Sequence, residues 1–232
     1  MRKDDTGAFT LIEMLVVIAI IATIAAFALP AITGALTRGQ LTQAVSNARQ
    51  VHLATFSMAT DGTQTGDAKY GWPGDLAAST DPNIQIVSVP QFVQRLVDND
   101  YLKPGDLKVF TASGITPWNG QYQPPANPNS PGSLAPPFTT TNCAYKIYKV
   151  KDSDGSNAIF VATKNFTYSD NAATAIDATK QPFGDKGFVI FHKGGDGTFY
   201  KKQQATAKSI LGVLPGQTDT TANESANDIL TP

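Results

Sequence analysis

The side chains able to carry chemistry are scattered, and most lack the neighbours that chemistry needs. His52 and His192 are the only imidazoles. Neither lies near a nucleophile or a ligand cluster, and a Ser/His/Asp relay would need partners picked freely from a chain rich in all three. Both read as structural. Cys143 is the single cysteine, so neither an intramolecular disulfide nor a thiolate cluster for zinc can form. It reads as a small buried apolar residue opening a strand-like segment, with an intermolecular bridge or reactive thiol as the alternative. Asp152-x-Asp154-Gly155-Ser156-Asn157 resembles the start of a calcium loop. A hand-type loop, however, places glycine sixth and a bidentate glutamate twelfth; here glycine is fourth and Thr163 is twelfth, which favours a hairpin turn. No Walker-type or dinucleotide loop is present. These residues give no ground for a catalytic site, a cofactor or a metal, and the expectation is a chain that is not an enzyme.

Glu13 is different, because of where it stands. Residues 14–29 carry no charge, and across the 21 residues 9–29 Glu13 alone is ionisable. At about 1.5 Å per residue a helix of that length matches a hydrocarbon core roughly 30 Å thick, so the segment can span a bilayer. A carboxylate at the centre of a spanning helix costs about 2.5–3.5 kcal/mol, less near an end, and is retained mostly where something needs it. Glu13, near the start of the run, therefore calls for a cation. A secretory signal, with Ala26-Phe27-Ala28 as its cleavage site, and a plain single-pass anchor are the two plainer readings; the first expects a shorter apolar region with no acid at its front. Arg2 and Lys3 on one side are balanced by Arg38 and Arg49 on the other, so basic residues leave the orientation open.

Ala8-Phe9-Thr10-Leu11-Ile12-Glu13-Met14-Leu15 resembles the processing and assembly signal of type IV pilins and of the related pseudopilins of type II secretion. The resemblance implies a leader of residues 1–8 removed by a prepilin peptidase between Ala8 and Phe9, and methylation of the new amino terminus at Phe9. A cut before Ala8 is the alternative, but only the first keeps Glu13 fifth. It also implies that Glu13 serves subunit assembly by meeting a neighbour's terminal amine, that Pro30 is a helix-bending proline, and that the carboxyl-terminal part lies outside the cytoplasm. The implied partners are identical or homologous pilin subunits, the peptidase, an inner-membrane assembly platform and the lipid bilayer.

The elements that must position these residues follow from periodicity. After the spanning segment 9–30, residues 31–60 continue the helix with an apolar face of Leu41, Val45, Ala48, His52 and Phe56, widened by Ile32, Leu36, Val51 and Met58, while Arg38, Gln43, Asn47, Arg49 and Gln50 are left for water or neighbours. Pro30, Gly34 and Gly39 predict a bend between the halves, because proline removes a backbone donor and each glycine costs about 1 kcal/mol relative to alanine. Asp61-Gly62 ends the helix. Residues 61–215 read as one domain, which the resemblance places on the exoplasmic side. It holds a second helix from Val89 to Leu102, capped by Ser88 and stopped by Pro104-Gly105. The segment 117–137, with seven prolines, reads as an extended surface loop tacked down by Trp118, Tyr122, Leu134 and Phe138, and as a subunit-specific contact surface.

Strand-like runs at Cys143–Val150, Ala158–Thr163, Gly187–His192 and Thr198–Lys202 make a small antiparallel sheet. Residues 216–232 read as a flexible tail. The fold class is therefore α+β and pilin-like: a long amino-terminal helix, half spanning and half amphipathic, on a small antiparallel sheet with long loops.

Net charge −1 argues against a nucleic-acid-binding surface. A local excess of six lysines over two acids from Lys180 to Lys208 could touch phosphates, and solvated sheet-edge lysines account for it more simply. Phe188 to Gly197, a strand followed by a Gly-Asp-Gly turn, is similar to the end of major pseudopilins, many of which bind calcium in the following loop. Lys201 and Lys202 occupy that loop here, and ammonium groups repel a dication, so no calcium site is expected there. The reading is a subunit of a type II secretion pseudopilus. A type IV pilin for adhesion, motility or DNA uptake is the alternative within the family, and a non-polymerising anchored binding domain the alternative outside it.

Overall fold

The computed structural model describes residues 10–126, 131–169, 175–206 and 210–232. The chain divides into two compact units at Gly39/Gln40. Helix α1, Leu11–Thr65, contributes to both and is helical throughout, with Pro30 inside it.

In the second unit the buried face of α1 is Leu41, Ala44, Ala48, Val51, Thr55, Met58 and Gly62, a three-four spacing that keeps one side of the helix inward. This face differs from the expected one. Phe56 is half exposed, Leu53 likewise, and Ile32 and Leu36 lie in the exposed stretch before it. Asn47, expected to face water, is buried and donates to the Thr111 carbonyl at 2.9 Å. Small residues explain the shift. Ala44, Ala48 and Gly62 let the helix approach its neighbours closely: the Tyr145 hydroxyl donates to the Ala44 carbonyl at 2.9 Å. A Cβ at Gly62 would stand 1.9 Å from the Tyr70 carbonyl oxygen. Gly62 accordingly packs inside the last turns of α1, which run to Thr65 instead of ending there.

Strands β1 (Gln121–Gln123) and β2 (Ser133–Ala135) form a small hairpin within the proline-rich segment, Tyr122 opposite Leu134. The Trp118 indole donates to the Pro136 carbonyl at 2.7 Å, and the Tyr122 hydroxyl to Asp98 at 2.7 Å. The main sheet runs β3 (Tyr145–Ile147), β4 (Ile159–Thr163), β5 (Phe188–His192), β6 (Gly197–Tyr200) in chain order, all antiparallel. All residues of β4 and β5 are buried, as expected of near-continuous apolar runs. Phe166 stacks on Phe188 with centroids 4.4 Å apart. Each such ring contributes about 1.5–3 kcal/mol by leaving water.

Between helix and sheet lie α2 (Pro73–Ala78), too short to announce itself by periodicity, and α3 (Val89–Asp98). Ser88 caps α3 in a reciprocal capping box with Gln91, and Pro90 sits in its first turn. The helix stops at Asp98, short of Leu102, where Asp100 turns the backbone left-handed at φ 60°. Pro104-Gly105 opens the 3-10 turn Pro104–Phe110 instead of ending a helix.

The carboxyl-terminal residues overturn the expectation of a flexible tail. Ile229 bridges Tyr148 in antiparallel fashion, the Leu230 amide donates to the Ile147 carbonyl at 2.9 Å, and Leu230 is buried. Thr231 exchanges backbone bonds with Val87 and Val89 at the start of α3. Glu224 accepts from the Lys146 ammonium, the Tyr148 hydroxyl and, at 3.0 Å, the Tyr168 amide. A polar, low-complexity segment is held by backbone pairing and one buried acid, neither of which composition displays.

Candidate functional site

The described residues begin at Thr10, so the expected cleavage and methylation positions, Ala8 and Phe9, lie outside them. Helix α1 opens on a closed loop of hydrogen bonds. The Thr10 amide and hydroxyl both donate to Glu13 Oε2, at 2.8 and 2.6 Å, and the Glu13 amide donates to the Thr10 hydroxyl at 3.4 Å. A helix start leaves four amides without intrahelical acceptors, and Thr-x-x-Glu satisfies two of them reciprocally. The positive end of the helix dipole favours a carboxylate in this turn as well. Glu13 is therefore held by its own chain. Both Thr10 donors go to the same oxygen, and Oε1 takes no bond among the described residues.

On both sides of Glu13 the helix presents apolar side chains outward. Leu11 and Phe27 are more than 80% exposed, and Ile18, Ile21, Ile24, Leu29 and Leu36 more than half. An 18-residue window reaches a mean hydropathy of 2.8 with none of it buried. Its polar groups close on themselves: the hydroxyls of Thr23, Thr33 and Thr37 donate to the carbonyls of Ile20, Pro30 and Thr33 at 2.8, 3.0 and 3.0 Å. Self-satisfied backbone and hydroxyls beneath an apolar exterior are what a hydrocarbon environment requires. Pro30 removes one amide from the ladder. A Cβ at Gly34 or Gly39 would meet nothing within 4 Å, so packing within the chain does not account for either glycine.

The other expected groups fall into structural roles in the second unit. Cys143 is buried, its thiol on the Tyr145 carbonyl and its pKa pushed up to about 11 by burial. His52 is buried among Phe56, Trp72, Phe160 and Phe191, and its Nε2–H donates to the Lys193 carbonyl at 2.7 Å. Burial lowers its pKa, outweighing the bond to Lys193. His192 Nδ1 bonds Asp196 at 2.7 Å, while its buried Nε2 has no partner among the described residues. Among those residues, no three His, Cys, Asp or Glu side chains converge to hold a metal ion. Ser156, His192 and Asp196 line one small pocket, with no hydrogen bond between Ser156 and the imidazole among the described residues.

Two functional features were missed at the level of residues. Thr10 as the partner of Glu13 was legible as a capping box, Thr three positions before Glu. Glu224 carried no local signal at all.

Residues 5–29 match the family model for the prokaryotic N-terminal methylation motif. Over 72 residues the chain is 36% identical to the type IV major fimbrial protein FimA of Dichelobacter nodosus, a match covering 31% of this chain and 46% of that protein. The chain thus spans just under half the length of this relative. No solved structure matches. Methylation motif, outward-facing apolar helix and fimbrial relative together support a type IV pilin-like family, the chain being similar to such proteins at its amino-terminal end.

Proposed function

We propose that the chain is a structural subunit of a helical filament, made as a bilayer-inserted precursor and drawn into the fibre through α1. The single observation that carries this reading is the apolar exterior of α1 up to Leu36, exposed along its length and carrying one charge, Glu13 near its start. Apolar surface of this extent is stable in lipid or against like helices, and burial is worth about 25 cal/mol per Å². Residues 1–8 act as the leader, cut between Ala8 and Phe9 by a prepilin peptidase, with Phe9 then N-methylated. Residues 9–30 span the bilayer before assembly, an inner-membrane platform moves the subunit, and the domain from residue 61 onward stands in the periplasm. Glu13 exchanges its Thr10 bonds for a neighbour's terminal amine. Pro30, Gly34 and Gly39 mark the segment that bends or unwinds as subunits pack.

Within that role the reading is a type II secretion pseudopilin, which drives protein export. The four-stranded meander with its Gly195-Asp196-Gly197 turn and the lone buried Cys143 fit that class. The fimbrial relative favours the second reading, a surface pilin. Mass spectrometry of the purified protein tests the shared part: the proposal expects a chain beginning at N-methylated Phe9, and a chain beginning at Met1 contradicts it. A knockout separates the two readings, since loss of exported proteins supports the pseudopilus and loss of surface fibres supports the pilus.

A further inference from the structure

The lysine excess between Lys180 and Lys208 acquires a place from the main sheet. Strand β5 runs beside α1 in the same direction. A Cβ at Gly187, just before the strand, would stand 3.0 Å from a Leu41 methyl, and the Lys193 carbonyl, just after it, accepts from His52 at 2.7 Å. Strand β6 returns to the Leu41 end, where the same Cβ would lie 2.8 Å from the Tyr200 carbonyl oxygen. Lys186 stands two residues before β5, and Lys201 and Lys202 directly follow β6. Because the register pairs Phe188 with Tyr200, the three lysines gather at this one end of the sheet.

All three are exposed, and none forms an ion pair among the described residues. Guarding a strand edge does not account for them, since β5 begins at Phe188 and β6 ends at Tyr200. Their backbone is braced. Buried Asn165 donates to the carbonyls of Gly184 and Gly187 at 2.7 and 2.8 Å, holding the turn that bears Lys186. The Gln204 and Ala205 amides donate to the carbonyls of Lys201 and Lys202. Asp185 is the acid beside Lys186, while Lys180 is paired with Asp177. The opposite end of the sheet has the opposite balance: Asp152, Asp154 and Asp196 in the two turns and Asp75 against them, facing only Lys151 and Lys193.

The second unit begins at Gln40, so the basic end is the one at which the chain enters it. Leu36, where the apolar exterior of α1 stops, precedes Leu41 by about 8 Å of helix, within the roughly 10 Å over which a charged lipid surface acts. We propose that Lys186, Lys201 and Lys202 form a seat for anionic lipid headgroups, which holds the second unit against the membrane surface before assembly. The inference rests on residues 9–30 spanning a bilayer. Each lysine near an anionic surface strengthens attachment about fivefold, and Asp185 offsets one of them. The acid-rich end of another copy is the competing occupant, but the basic end adjoins the stretch that enters lipid.

Reconstitution of the full chain into vesicles of phosphatidylcholine, alone or mixed with phosphatidylglycerol, tests the two layers separately. Flotation that survives an alkaline wash reports insertion; a protein that floats with neither vesicle contradicts the spanning reading and the seat with it. In the inserted protein, exchange of the Lys186, Gln204 and Ala205 amides should be about threefold slower with phosphatidylglycerol than without, and high salt should abolish the difference. The combined Lys186→Gln, Lys201→Gln and Lys202→Gln variant should float as wild type and lose the difference, whereas arginine at the same three positions should keep it. Equal exchange in the two vesicles, or a difference that survives the glutamine variant, would overturn the seat alone. Slowing of the same amides in neutral vesicles as protein concentration rises would also overturn it, by assigning the cluster to another copy.

Discussion

The described residues up to Gly39 and the unit Gln40–Pro232 use the same amino acids in opposite ways. In the first, leucine, isoleucine and phenylalanine point outward and the hydroxyls fold back onto their own helix. In the second, apolar side chains fill a core, and polar groups reach across long stretches of chain: Tyr145 to Ala44, Asn165 to the carbonyls of Gly184 and Gly187, Lys146 to Glu224. The contrast teaches that the two units are built for different solvents. One has its stability supplied by whatever surrounds it; the other supplies its own.

The largest expected effect lies in the self-sufficient unit. Glu224→Ala removes the acid that holds the buried Lys146, whose pKa burial already lowers. A buried charge stripped of its partner costs about 3–5 kcal/mol. For a domain of this size that is a fall in melting temperature of roughly 10 °C, measurable by circular dichroism, with residues 224–232 losing amide protection first. A midpoint within 2 °C of wild type would show that the ion pair does not hold the carboxyl-terminal segment.

An effect of intermediate size comes from His52. Its folded-state pKa is depressed below the ordinary 6.5 by burial, so between that lowered value and 6.5 the unfolded chain binds more protons than the folded one. Stability therefore rises with pH through this window and is lost as pH falls below 6.5. His52→Gln should flatten that slope in denaturant titrations at pH 5 to 7, whatever it does to the baseline. An unchanged slope would remove His52 as the cause.

At the start of α1 the expected change is smaller and local. Thr10→Ala deletes the cap and should cost the helix about 1 kcal/mol, seen as faster amide exchange over Leu11–Met14 in micelles, with no change in the melting of the second unit. Smallest of all, Ile21→Ala removes an exposed side chain from the first unit and should leave the stability within about 0.5 kcal/mol of wild type in detergent. If Ile21→Ala destabilised the monomer like a core deletion, the contrast between the units would fail.

Much of this division was legible in residues. The uncharged run 14–29, Ser88 with Pro90 two places on, and four β-branched or aromatic runs separated by Gly and Asp each carry a local physical signal, and each became an expected element; the Thr10-x-x-Glu13 spacing carries one too but was not among the expected elements. What escaped lies in long-range pairing and in small side chains. Ala44 and Thr55 belong to the inward face of α1 because they permit close approach, whereas periodicity favours the larger Phe56, which is half exposed. Glu224 and Ile229–Thr231 read as tail because their partners, Lys146, Tyr148 and Val87, are more than 75 residues away.

Assembly of Glu13→Ala most directly tests the proposal that the apolar part of α1 is covered by sister subunits and positioned by Glu13. The account predicts a precursor that inserts and is cleaved normally but yields few sedimentable fibres, because an apolar setting leaves the neighbour's amine uncompensated. Wild-type fibre yield from the cleaved variant would contradict it.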